Sequence, residues 1–417
     1  VSTAVSETTG QPLPARVGLG ESLRAYRDKV RGGDIGSLPA VLGLLALVIF
    51  FSLERPHTFT TALNFANLIT QGAAIMVLSM GLIFVLLLGE IDLSAGFTAG
   101  TSGAVMAVVM ANHGWPWWAG IIACLVTGLV IGTVIGTIVT RLGIPSFVVT
   151  LAGFLSLAGV QLAIVGEGGT IQIPGNQIFA LDNDNLPIWM GWLLFVIVAG
   201  GFAAFGYYRI LQRRRIGLSS SSLGVWAVKS LAVAVILGVA TAYLSKERSP
   251  QKSAHIRGVP DIVILLLALL LVLTFVLVRT PLGRHIYAIG GNAEAARRAG
   301  INVALTKTFC FMMCSTLAAV AGVIYGSELD SISGQTGGGQ DLLLAVGAAV
   351  IGGCSLFGGR GRILDAVIGG LVVVVISNGM LLLQLSAAYV QIFSGLVLLV
   401  AAGVDAVSRR RAAATGR

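Results

Sequence analysis

The sequence predicts an all-α, polytopic membrane protein. Hydrophobic residues make up 56% of the chain and charged residues only 11%, a balance well outside that of soluble globular domains. The apolar residues gather into repeated runs of about 20, the length that crosses the hydrocarbon core of a bilayer. Fifty-five glycines, many inside those runs, favour close approach of helices. A β-barrel would show short alternating segments instead.

Residues 1–38 form a polar arm with five basic and four acidic side chains. The arm has no apolar h-region, so no cleaved signal peptide is expected. It is expected in the cytoplasm, either disordered or with residues 21–29 as an interfacial helix. Residues 39–405 are the expected transmembrane domain. They hold twelve apolar segments, centred near 46, 77, 104, 128, 155, 197, 234, 270, 315, 349, 373 and 397. Residues 96–111 and 342–357 are short for full crossings and read as half-helices or re-entrant pieces, which leaves ten to twelve spans. Residues 406–417 are a basic tail.

Lys and Arg resist translocation, so their distribution sets orientation. With the N-terminus inside and all twelve segments crossing, twenty-one of the twenty-seven fall in the cytoplasm and five outside. Lys229 lies within a span, near its inner end. Both termini are then cytoplasmic. The segment pair within 188–244 must cross together or not at all, because an odd count would expose the basic residues of 279–307, 360–362 and 406–417. The external loop 166–187 is acidic, and serves either to dock an extracytoplasmic partner or as a solvated connector. Gly128, Gly132 and Gly136 recur every fourth residue and predict a tight packing ridge.

Soluble-enzyme motifs are missing: no G-x-x-x-x-G-K-[ST], no G-x-G-x-x-G, no H-E-x-x-H and no Cys/His metal set. No cofactor and no metal are expected. Any ATP-driven work must be done by another subunit. The four cysteines lie in or beside apolar segments and read as buried hydrophobes.

Three glycine-punctuated stretches stand out. Gly89-Glu90-Ile91-Asp92-Leu93-Ser94-Ala95-Gly96 puts two carboxylates between apolar runs, either as a gate or pathway loop or as a turn whose Asp92 caps the next helix. Neither carboxylate has an evident basic partner in a span, which argues against an ion-coupled carrier. The run from Ile351 to Gly361, including Ser355, has a similar glycine-rich break and suggests a two-half internal repeat. Residues 279–307 hold a miniature helix: Asn292 as N-cap, Glu294 in the first turn, Arg297 and Arg298 in the last, and Gly300 as C′. Such a helix, tethered between spans, suits a soluble partner. Gln161, Asn378 and Gln384 either bind a hydroxylated solute or bond between helices. Residues 333–341 read as a flexible polar run at an external entrance.

These motifs resemble those of the permease subunit of bacterial carbohydrate ATP-binding cassette (ABC) importers, the ribose/xylose/galactoside branch. The similarity covers roughly 39–405, and the helix pair within 188–244 is similar to the longer xylose-type permeases. The resemblance implies a plasma-membrane protein that is not itself catalytic. Its expected partners are a second permease copy, ABC ATPase subunits, an extracytoplasmic sugar-binding protein and a sugar such as xylose, with no nucleic acid. It also implies that Gly290, Gly291, Asn292, Glu294, Ala295, Ala296, Arg297, Arg298 and Gly300 form the ATPase-coupling loop. The residues expected along the translocation pathway are Gly89, Glu90, Asp92, Ser94, Gly96, Gln161, Ser355 and Asn378. The competing readings are a secondary carrier or channel, and a membrane-embedded enzyme built on Glu90 and Asp92.

Overall fold

The computed structural model describes residues 37–216, 223–249, 255–386, 388–397, 399–400 and 403. The arm up to residue 36, with the expected interfacial helix, and the basic tail lie outside the described residues. The helices are α1 (Leu38–Glu54), α2 (Ala62–Leu87), α3 (Ala95–Ala111), α4 (Trp117–Arg141), α5 (Ser146–Val165), α6 (Asn176–Asn183), α7 (Ile188–Arg215), α8 (Leu223–Leu244), α9 (Ile262–Arg279), α10 (Pro281–Gly291), α11 (Ala293–Arg298), α12 (Val303–Leu329), α13 (Gly339–Gly352), α14 (Ile363–Leu382) and α15 (Ala388–Val397). Two short strands, β1 (Thr170–Gln172) and β2 (Ser331–Ser333), pair antiparallel. Among the described residues, eight helices are long and apolar enough to cross a membrane: α2, α4, α5, α7, α8, α9, α12 and α14. The protein is therefore all-α and polytopic.

The buried centre is built from α2, α12 and α14, with Phe84, Phe311, Met76, Leu78 and Met80 fully enclosed. Helices of this kind approach closely only where side chains are small. The ridge on α4 does this against α12. A Cβ at Gly128 would lie 2.5 Å from Ser315 O, at Gly132 2.6 Å from Phe311 O, and at Gly136 2.9 Å from Thr308 Cα. The four cysteines are buried and unbridged.

Helices α3 and α13 have 17 and 14 residues, about 26 and 21 Å at 1.5 Å per residue. Each falls short of a hydrocarbon core of about 30 Å. Non-helical chain precedes each. Before α3 the chain turns at Gly89 (φ +75°). Before α13, the turns of residues 334–338 pack against α3, backbone on backbone. A Cβ at Gly96 would sit 2.4 Å from Gly337 O, and one at Gly100 2.1 Å from Thr336 O. This corrects the expectation of a flexible external run at 333–341. Its glycines permit close contact rather than motion, and Ser333, Gly334, Thr336, Gly337 and Gly338 are buried or half-buried.

We call the end that carries Arg141, Arg209 and residues 279–307 the basic end. At the opposite end, the acidic loop 166–187 is largely folded onto the bundle. β1 pairs with β2, Ile173 and Ile178 are buried, and Asn183 Nδ2 donates to Ser327 O at 2.8 Å. The chain leaves this end at α7 and returns at α8. There Leu186 N donates to Val259 O at 2.8 Å, and Arg248 donates to Asn185 Oδ1 at 2.6 Å. The pair α7–α8 thus goes out and back, as the charge distribution requires.

Candidate functional site

At the basic end, the chain between α9 and α12 folds as an elbow of two helices. The first, α10, was not foreseen. Thr280 caps it by accepting from Gly283 N at 3.3 Å, and Pro281 occupies the first helical position, where its missing N–H costs nothing. Its apolar face buries Ile286 and Ile289 in the main core. Asn292 then ends α10 and starts α11, with its Oδ1 accepting from Ala295 N at 2.9 Å, a cap worth about 1 kcal/mol. Ile301 N donates to Ala296 O at 3.1 Å and Gly300 N to Arg297 O at 3.0 Å, with Gly300 at φ +83°. This pair of bonds is a Schellman closure. Ala296 is buried and ties the helix to the core, while Ala295, Arg297 and Arg298 face outward. Glu294 pairs with Arg297 at 2.9 Å and Arg298 at 3.3 Å. Exposed pairs of this kind add at most about 1 kcal/mol, so they shape the surface more than they hold it.

The elbow is keyed to two distant breaks. A Cβ at Gly290 would lie 1.8 Å from Leu87 O and 2.7 Å from Gly359 N, whereas one at Gly291 would meet nothing within 4 Å. Gly359 N donates to Leu87 O at 2.9 Å. A Cβ at Gly358 (φ +85°) would lie 2.8 Å from Gly89 N and 3.1 Å from Gly290 O. Tyr287 Oη donates to Gly361 O at 2.7 Å. The three stretches singled out in the sequence therefore meet at one junction, where only glycine lets three backbones touch.

Glu90 and Lys307 form an ion pair beside this junction, and Ser146 Oγ donates to Glu90 Oε2 at 2.5 Å. This corrects the expectation that Glu90 lacks a basic partner in a span. Lys307 was counted with the preceding loop but lies in the first turns of α12. Asp92 is 1% exposed and accepts from both Ser94 N (2.9 Å) and Ser94 Oγ (2.5 Å). The stretch is a turn, but Asp92 is not the cap: Ser94 is the N-cap residue of α3, without a side-chain cap bond, and Asp92 closes the turn before it. Gly96 serves the contact with Gly337.

The amides bond between elements. Gln161 is fully buried, and its Nε2 donates to Ser333 O at 2.9 Å and Thr336 O at 3.0 Å. Asn378 Nδ2 donates to Gln71 Oε1 at 3.2 Å. Gln384 takes φ +60° just past α14, where it helps end the helix. Ser355 is buried in the turn after α13, and its Oγ accepts from Phe357 N at 3.4 Å. The sequence reading missed Gln340, Gln391 and Ser394, which line a mostly apolar cavity of about 330 Å³ between α13, α14 and α15.

Residues 64–402 match the family described as branched-chain amino acid transport system / permease component. The chain belongs to this permease family. The permease is 35% identical to the xylose transport system permease protein XylH of Escherichia coli (strain K12) over 372 residues, 89% of this chain and 92% of the relative. It is 33% identical to XylH of Haemophilus influenzae over 89% of this chain and 96% of the relative. Identity to the ribose import permease protein RbsC of Bacillus subtilis (strain 168) is 30%, over 92% of this chain and 98% of the relative. No solved structure is significantly similar. As a permease component it is a multi-pass protein of the inner membrane, and its relatives are transport subunits rather than enzymes.

Proposed function

We propose that this permease forms the membrane passage of an ABC importer for a sugar, xylose or a related pentose. Its partners are separate ATPase subunits, a second permease copy and an extracytoplasmic sugar-binding protein. The relatives named for xylose and ribose transport support the cargo. In this reading Gly290, Gly291, Asn292, Glu294, Ala295, Ala296, Arg297, Arg298 and Gly300 receive the ATPase. Gly89, Glu90, Asp92, Ser94, Gly96, Gln161, Ser355 and Asn378 belong to the translocation pathway or its gate.

One observation carries the reading: the exposed, fully capped α11 follows directly on α10, whose Gly290 packs so closely on Leu87 O and Gly359 N that no Cβ would fit. A push on α11 is thereby delivered to the chain before α3 and to the loop between α13 and α14. The two helices meet at Asn292, which is extended, and α10 is held to the core along one face. Such a lever has no use in a carrier that works alone.

The test is uptake of labelled xylose into proteoliposomes, with the permease alone and with ATPase subunits and binding protein added. Uptake confined to the complete assembly and dependent on ATP is expected. Uphill uptake by the permease alone would favour a carrier.

A further inference from the structure

The α7–α8 hairpin is not used by the coupling account, and its chemistry points elsewhere. α7 has 28 residues, about 42 Å of helix, which is longer than a hydrocarbon core of about 30 Å requires. The surplus extends at the basic end and carries Arg209, Arg213, Arg214 and Arg215. Between residues 187 and 246 the sequence has six basic residues and no acidic one. Among the described residues, none of these four arginines is in an ion pair. Tyr207 and Tyr208, directly before Arg209, are exposed, and the Tyr207 ring packs on Trp226 of α8 at 5.4 Å. Exposed aromatic rings followed by arginine mark the level where acyl chains give way to headgroups.

A second cation arrives from another helix. The Arg279 guanidinium, at the end of α9, lies 5.7 Å from the centre of the Phe205 ring. Phe205 and Arg209 are four residues apart and so share one face of α7. Arg209 thus stands one turn beyond the ring that Arg279 reaches, on the same face of α7, and the sequence has no acidic residue from 187 to 246. Around them the surface is apolar and exposed: Phe202 and Phe205 on α7, Phe275 and Val278 on α9. The hairpin joins the rest of the bundle at its other end, where Gly191 meets Val259 and Phe65 meets Tyr243. Orientation alone asks for positive charge somewhere in a loop; it does not ask for arginines from two helices above a greasy face.

We propose that Arg209, Arg213 and Arg279 bind the phosphate headgroup of an anionic phospholipid in the leaflet at the basic end, its acyl chains lying along α7 and α9. Guanidinium groups suit phosphate because they donate in bidentate fashion. Acyl chains against Phe202, Phe275 and Val278 select a lipid over free phosphate. The site is independent of the cargo, so it stands or falls separately from the transport reading.

The test uses the intact transporter in nanodiscs of phosphatidylcholine with and without phosphatidylglycerol, with bound lipid identified by native mass spectrometry. Enrichment of phosphatidylglycerol is expected, with inorganic phosphate unable to displace it. Enrichment should fall about fivefold for each arginine removed in R209Q/R279Q, since each basic residue near such a surface contributes about 1 kcal/mol. Gln212→Glu leaves every positive charge in place and supplies an internal counter-ion three residues from Arg209. It should also lower enrichment, and it keeps the test open if the double variant fails to insert. Equal enrichment in wild type and variants, no enrichment in wild type, or displacement by phosphate would each overturn the proposal.

Discussion

Glu90 and Lys307 are 217 residues apart in sequence and form an ion pair where α2 ends and α12 begins. Their side chains are 18% and 24% exposed. Ser146, the first residue of α5, completes the cluster. Three helices are thus fastened at the level of the elbow. Removing one charge strands the other in a mostly buried place. Glu90→Gln and Lys307→Met should each lower stability by about 1–3 kcal/mol, and a double-mutant cycle should give a coupling of at least about 0.5 kcal/mol. Additive losses in thermal unfolding would mean that the pair contributes nothing.

Gly300 closes α11 in a left-handed conformation. No atom lies within 4 Å of where its Cβ would be, so a substitution acts through backbone strain and not through collision. Gly300→Val should cost about 1–3 kcal/mol locally and abolish uptake while membrane insertion stays normal. Gly300→Asn, which tolerates this conformation better, should keep part of the activity. Normal uptake in the valine variant would count against the lever.

Gln161 gives a way to separate fastening from sugar binding. Its amide holds two carbonyls of the chain leading to α13. Gln161→Leu leaves them without that donor, at about 1–3 kcal/mol each, so the melting temperature should fall. A variant with unchanged melting but a raised KM for sugar would instead make Gln161 a ligand.

Asp182 predicts a pH dependence. Burial in the cap at the outer end pushes its carboxyl up to about 6 from an ordinary value of 3.8. The folded cap therefore holds this proton more tightly than the open chain does. The stabilisation is present below about pH 4 and is lost as pH rises through about 6. Glu328 of α12 is its acidic neighbour. Amide exchange in 176–183, corrected for intrinsic rates, should speed up between pH 4 and 6, and Asp182→Asn should flatten that change. An unchanged profile in the variant would assign the dependence to another group.

Much of this architecture was legible in the residues. Apolar runs marked the helices, but among the described residues eight are long enough to cross where ten to twelve spans were expected; the glycines of α4 gave its ridge. Asn292, Glu294 and Gly300 marked a helix whose signals are all local. α10 was legible but missed: Thr280-Pro281 is a start signal, and Leu282, Ile286 and Ile289 fall on one helical face. Other features had no local trace. The Glu90–Lys307 pair depends on packing between distant helices. Gly337 and Gly338 read as flexible because a glycine that bends and a glycine that admits a neighbouring backbone look alike in sequence. The same ambiguity hides the meeting of Gly89, Gly290 and Gly358, although each lies in one of the three glycine-punctuated stretches.

In the proposed function, Gly290 is the contact through which α11 drives the two breaks, and its neighbour supplies the control. A Cβ at Gly290 would collide with Leu87 O, while one at Gly291 would meet open space. The direct measurement is the number of sugar molecules imported per ATP hydrolysed by the reconstituted transporter. Gly290→Ala should keep ATPase docking and hydrolysis while lowering that ratio at least about tenfold, and Gly291→Ala should leave it near wild type. A normal ratio in Gly290→Ala, or an equal loss in both variants, would contradict the mechanism.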